Sequence, residues 1–93
     1  MNQQTMQEGK IEAVTYELLA FGIARDIVGG STISLSLDGS QTVGHLKEVL
    51  RERYPDFARL KSLAIAVEAA YREDDHVLNP SDEIVIIPPV SGG

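Results

Sequence analysis

Cysteine is absent from the 93 residues, which removes disulfide frameworks and thiolate metal sites and suits a reducing compartment. Tryptophan is absent as well, and the aromatics are three Tyr and two Phe. Tyr16, Phe21, Tyr54, Phe57 and Tyr71 are not interleaved with Lys or Arg as a base-stacking surface would be. Positive charge is scarce: eight basic against fourteen acidic residues leave a net charge of −6. That is the wrong sign for a phosphate backbone, so nucleic acid is disfavoured as a partner. Long apolar runs are missing too; the longest, "LAIAV" (63–67), falls far short of the ~20 residues a spanning helix needs. The N-terminal "MNQQTMQEGK" has no apolar signal core, so no export signal is read and a cytoplasmic location is expected.

What is present reads as one domain. An apolar content of 43% supports a single core without staples. Residues 1–12 are polar and read as a disordered leader, 13–87 as the folded domain and 88–93 as a tail. "AVTYELLA" (13–20) places Val14, Tyr16 and Leu18 on one face and predicts a strand. A short helical turn is expected around Ile23–Val28, stopped by Gly29-Gly30. "STISLSL" (31–37) alternates cleanly, with Ile33, Leu35 and Leu37 against Thr32, Ser34 and Ser36.

After the turn "DGSQ", Thr42 is placed to cap a helix whose Val43, Leu46, Val49, Leu50 and Tyr54 recur at helical spacing. Pro55 disfavours helical backbone at Tyr54 and ends it. "LAIAV" (63–67) predicts a strand, "EAAYR" (68–72) a short hairpin arm, and "NPSDE" (79–83) a turn around Pro80. "IVIIP" (84–88) is apolar on both faces, the pattern of a central strand covered on both sides. One main helix on a mixed sheet of about five strands is a two-layer α+β domain. With the first and last strands parallel at its centre, this is the β-grasp arrangement.

Catalytic chemistry finds little footing. His45 falls in the helix and His76 in an acidic loop, with no carboxylate–histidine–nucleophile set, and both read as exposed histidines. Asp74, Asp75 and His76 lack the spacing of a committed cation site, so no metal is expected. Gly29-Gly30 belongs to no phosphate-cradling pattern. Between Glu68 and Glu83 six acids stand against Arg72 alone. Such a run suits a solvated hairpin or, alternatively, a basic partner surface.

The ending "PPVSGG" (88–93) is different. Pro88-Pro89 fixes φ and removes two backbone donors, which sends the chain out of the sheet extended. Six residues can reach about 20 Å. Gly92 and Gly93, without side chains, can enter a channel too narrow for any other residue.

These features together resemble the ubiquitin-like sulfur carriers, and most closely the small subunits of molybdopterin synthase. The resemblance spans nearly all of 13–93. It rests on "LLAFGIARDIVGG" (18–30), "TVGHLKEVLRERYP" (42–55) and "AIAVEAAYREDDHVLNPSDEIVIIPPVSGG" (64–93). Ala20-Phe21, Arg25-Asp26, Gly29, Asp82-Glu83-Ile84 and the closing Pro-Pro-x-x-Gly-Gly match the family pattern. Val67-Glu68 stands where relatives often have Val-Asn, and Ile87 where Phe is frequent.

The resemblance implies a ubiquitin-like fold and a subunit that donates sulfur without a catalytic cluster of its own. It binds no cofactor; a partner adenylating enzyme uses ATP to activate the Gly93 carboxylate. A sulfur donor enzyme converts it to a thiocarboxylate, and the large synthase subunit presents cyclic pyranopterin monophosphate to it. Gly92 would give clearance, Pro88 and Pro89 would aim the arm, and Phe21, Tyr71 and Ile87 would form an apolar docking face. A heterotetramer of two small and two large subunits is the family expectation. Other readings are a carrier for thiamin or tRNA thiolation, a ubiquitin-like modifier, and a non-reactive β-grasp interaction module. Pro88-Pro89 argues against the thiamin carriers, which usually lack it.

Overall fold

Strict alternation becomes strand where it was read. In the computed structural model, which describes residues 13–89, β1 (Ala13–Ala20) and β2 (Thr32–Asp38) form an antiparallel hairpin in which Tyr16 faces Leu35 and Leu18 faces Ile33. Between them lies α1 (Gly22–Val28), closed by Gly29 at φ 84°, a left-handed cap where glycine carries no Cβ penalty. The helix α2 (Val43–Arg53) starts at Thr42, whose hydroxyl accepts the His45 N–H at 3.2 Å. Its Val43, Leu46, Val49 and Leu50 are buried, each worth ~1.5–3 kcal/mol relative to exposure. It stops before Pro55, as expected from the proline.

The sheet is completed by β3 (Ala64–Val67), β4 (Ala70–Tyr71) and β5 (Ile84–Ile87). Its order is β2-β1-β5-β3-β4, with β1 and β5 parallel at the centre and all other pairs antiparallel. The mixed five-stranded sheet packed on one main helix is therefore the β-grasp α+β fold. The leader (1–12) and the last tail residues (90–93) lie outside the described residues.

Four features depart from the sequence reading. A 3-10 segment (Pro55–Arg59) follows α2 and buries Phe57 edge-on against Tyr54, ring centroids 6.1 Å apart. The hairpin arm expected over 68–72 shrinks to Ala70–Tyr71, because Glu68 and Ala69 form a two-residue turn with φ of 51° and 68°. Positive φ at both centre positions matches the twist of a tight hairpin. The acidic segment is pinned by its backbone, although Glu73, Asp74 and Asp75 stay exposed. The Val43 and Gly44 N–H groups, which α2 itself cannot satisfy, donate to the His76 and Asp74 carbonyls at 2.9 Å each. Lys47 meets Asp74 at 2.8 Å, and Leu78 is buried.

The fourth correction concerns β5. It is central, but covered on one face only: Ile84 and Ile86 are in the core, whereas Val85 and Ile87 are half-buried. An apolar pattern on both faces cannot distinguish a second protein layer from an open face.

Gly44 is the tight point of the loop contact. A Cβ there would lie 3.0 Å from the Asp74 Cβ and 3.2 Å from its carbonyl oxygen. Gly44→Val is expected to cost ~1–3 kcal/mol by overpacking, read as a lower urea midpoint. An unchanged midpoint would mean that the loop yields freely.

Candidate functional site

The open face of the sheet is built by register. Leu19 pairs with Val85 and Ala20 with Ile86, so alternation sends Ala20 and Ile86 into the core and Leu19 and Val85 outward. From β3, Ala64 lies opposite Ile87 and Ala66 opposite Val85. Tyr71 sits across from Ala66 on β4. Phe21 continues β1 with extended backbone, φ −129° and ψ 163°, which returns it to the Leu19 face. Two apolar rows result: Phe21–Ile87–Ala64 at the end of the sheet, then Leu19–Val85–Ala66–Tyr71.

Phe21 is 57% exposed and Tyr71 68%, large areas for aromatic side chains grouped on one face. The two aromatics stand at opposite sides of this face, at the end of β1 and on β4, with β5 and β3 between them. Phe21 and Ile87 are thus placed side by side, and Tyr71 lies on the same face two strands beyond Ile87, although the three are far apart in the chain. The alanines between them carry no bulk, so the larger side chains stand proud.

The tail begins at this same end. β5 finishes at Ile87 beside Ala64 of β3, and Pro88 and Pro89 continue from it half-buried. Neither proline has an N–H, so neither can extend the ladder. Gly92 and Gly93 lie outside the described residues.

Behind the apolar rows the face turns acidic. Next to the Leu18–Ile84 and Val67–Ile84 pairs on the side away from the tail come Glu17, Glu83 and Glu68: the residues before Leu18 and Ile84 and the residue after Val67. Glu68 donates its N–H to the Glu83 carbonyl at 2.9 Å, and its carboxylate accepts the Glu83 N–H at 2.5 Å. The Glu68 side chain therefore ties the positive-φ turn to β5. Sequence reading counted Glu68 and Glu83 within an acidic run but did not connect them to Glu17; only strand register does.

The histidines stay apart. His45 is exposed on α2 with its Nδ1 bonded to the Gln41 side chain, while the His76 carbonyl serves the α2 terminus. Among the described residues no group of three or more His, Asp or Glu side chains is placed to hold a metal ion, and no helix is long and apolar enough to cross a membrane. An open groove of about 430 Å³ is lined by Ile23, Asp26, Ile27, Asp56, Arg59 and Leu60. Its Arg59 is paired with Asp56 at 3.6 Å, with both side chains mostly exposed, so no buried polar group converges on a ligand there. Among the described residues no acid–base pair is set around a bound-substrate cavity.

Residues 18–93 match the model of the ThiS family. A molybdopterin synthase sulfur carrier subunit from Dictyostelium discoideum is 34% identical over 83 residues, covering 84% of this chain and 95% of that one. The fold is similar to that of a putative molybdopterin converting factor, subunit 1, from Pyrococcus furiosus. There the TM-score is 0.73 at 23% identity, over 83% of this chain and 99% of that one. It is also similar to the small archaeal modifier protein 1 from Methanosarcina acetivorans, with a TM-score of 0.66 at 25% identity, over 87% and 98% of the two chains.

Proposed function

The chain belongs to the ThiS family of ubiquitin-like sulfur carriers, and from that premise we propose that it is the sulfur carrier subunit of molybdopterin synthase. One observation supports this reading most: the register that gathers Phe21, Tyr71 and Ile87 on an open face at the root of the tail. A carrier needs a grip for its partners beside the arm it threads into them. It needs no catalytic cluster.

The chemistry follows from the terminus. A carboxylate oxygen is too poor a leaving group to be displaced by sulfur at neutral pH. An adenylating enzyme of the ubiquitin-activating type therefore joins the Gly93 carboxylate to the α-phosphate of ATP and releases pyrophosphate. Sulfur from a donor enzyme then attacks the Gly93 carbonyl carbon; AMP departs with the former carboxylate oxygen and a thiocarboxylate remains. In the large subunit the sulfur passes to cyclic pyranopterin monophosphate, and water restores the carboxylate. Two carriers supply the two sulfurs of the dithiolene, which suits a heterotetramer of two small and two large subunits. Pro88 and Pro89 aim the arm and Gly92 lets it enter a narrow channel. The chain itself holds no cofactor, and its lack of Cys suits work in the cytoplasm.

The likeness to a small archaeal modifier favours a second reading, in which the same acyl-adenylate is passed to a target lysine. One measurement separates the two. The intact mass is followed after incubation with ATP, a cognate adenylating enzyme and a sulfur source. A gain equal to one oxygen exchanged for sulfur, in the peptide ending at Gly93, is the expected result. An unchanged mass, with that enzyme active on a known carrier, would overturn the carrier reading; pyrophosphate release in the same incubation would then point to the modifier, and its absence to the non-reactive interaction module.

A further inference from the structure

We propose that the acidic half of the sheet's outer face, through Glu17 and Glu83, steers the carrier onto a basic rim around the apolar socket of the large subunit; the identity of that partner rests on the function proposed above.

Charge is segregated between the two layers. No Lys or Arg lies in any strand, and the only charged residues within the strands are Glu17 and Asp38. The described basic residues sit on α1, α2, the 3-10 segment and the connections, with Arg72 just past β4. The helical layer carries both signs, whereas the open sheet face carries acids alone. That face also holds the exposed aromatics Phe21 and Tyr71. Apolar surface and one-signed charge thus occupy one plane, the form expected of a docking surface with a complementary partner.

The acids are poor candidates for a folding role. Glu17 and Glu83 are the residues immediately before Leu18 and Ile84, which pair in the parallel β1–β5 register, and like charges side by side are destabilising. Both are exposed, and among the described residues neither carboxylate has a hydrogen-bond or ion-pair partner. Glu68 is different, since its carboxylate holds the Glu83 N–H at 2.5 Å. Glu83 lies four residues before Ile87, about 13 Å along the strand at ~3.3 Å per residue, at the margin of the apolar rows. A partner gripping Phe21 and Ile87 therefore overlies Glu17 and Glu83. An acid there would be repelled, and a neutral surface would leave the carboxylates partly desolvated without compensation.

The partner's own chemistry agrees. It must receive an anionic tail end and an anionic phosphate ester, which demands positive potential around the entrance. The same field attracts the acidic row during approach. Such steering speeds association by ~10–10³-fold and fades with salt.

The test uses the full chain and the cognate large subunit, with association and dissociation rates followed by stopped flow from low to high salt. The double variant Glu17→Gln, Glu83→Gln is expected to associate roughly tenfold more slowly at low salt and to converge with the unsubstituted protein at high salt. Its dissociation rate should stay unchanged and its thermal midpoint equal or slightly higher, because adjacent like charges are relieved. Glu48→Gln with Glu52→Gln, exposed on α2, makes the same change in net charge on the other layer and should leave the rate nearly unaltered. Equal slowing by both pairs would assign the effect to net charge and overturn the proposal, as would an unchanged salt slope in the first pair. Failure of the unsubstituted chain to bind the large subunit would overturn this assignment together with the proposed function.

Discussion

Extending the chain by one residue beyond Gly93, or deleting Gly92 and Gly93, is expected to abolish sulfur loading and dithiolene formation by at least ~10³-fold. Each residue moves an extended terminus by ~3.3–3.6 Å, and misplacement of a reacting group by 1 Å already costs about a hundredfold. Nothing else in the described chain can stand in, since neither histidine nor any carboxylate is set beside a second catalytic group. The folded domain should be indifferent, because the core is closed by Ile84 and Ile86 before the tail begins. The measurement pairs intact mass after enzymatic sulfur loading with the thermal midpoint: loading lost, midpoint unchanged. Full loading of the extended chain would refute acyl chemistry at Gly93. If cofactor synthesis in cells persists after the deletion, the carrier function belongs to another protein.

The largest stability effect is expected one layer deeper, from neighbouring isoleucines that face opposite ways. Ile86 is fully buried between β1 and β3, and Ile86→Ala should cost ~2–5 kcal/mol through lost transfer energy and the cavity left behind. For a domain of this size that lowers the thermal midpoint by about 10–25 °C and consumes much of a typical stability of ~5–15 kcal/mol. Ile87 is half-buried on the open face. Ile87→Ala should move the midpoint by only a few degrees yet weaken binding of the large subunit roughly tenfold, by removing apolar area at the contact. Thermal melts and titration calorimetry on the two variants decide the matter. A reversed pattern would exchange the assignments of core and docking face.

How much of this the sequence disclosed varies from element to element. Period-two alternation in "AVTYELLA" and "STISLSL", and the Thr42 cap with Pro55 as terminator, gave β1, β2 and α2 almost as found, because each signal is local. The β3–β4 turn was obscured, since Glu68 and Ala69 lack the usual mark of positive φ. Relatives that place Asn at the Glu68 position carry that mark, and the departure noted there was the available clue. The 3-10 segment was missed because Pro55 announces the end of a helix and says little about a single tighter turn after it. The residues proposed for docking are legible only in part. Phe21, Tyr71 and Ile87 were linked by resemblance, and their shared face depends on pairing between strands at opposite ends of the chain, which no local pattern encodes. The row of Glu17, Glu83 and Glu68 was hidden for the same reason.

The central position of β5 has a consequence for how the molecule comes into being. β5 is the last strand made, yet it alone joins the β2-β1 hairpin to the β3-β4 hairpin. During synthesis, which proceeds from the N-terminus, the two hairpins wait as separate pieces with β1 and β3 edges unpaired. Such long-range closure comes late, after the chain entropy of the intervening segment has been overcome. The apolar face, assembled from Leu19 on β1, Val85 and Ile87 on β5 and Tyr71 on β4, arises in that same closing step. If the function proposed above holds, a chain that stops short of β5 offers a partner neither this assembled face nor a tail anchored to the sheet.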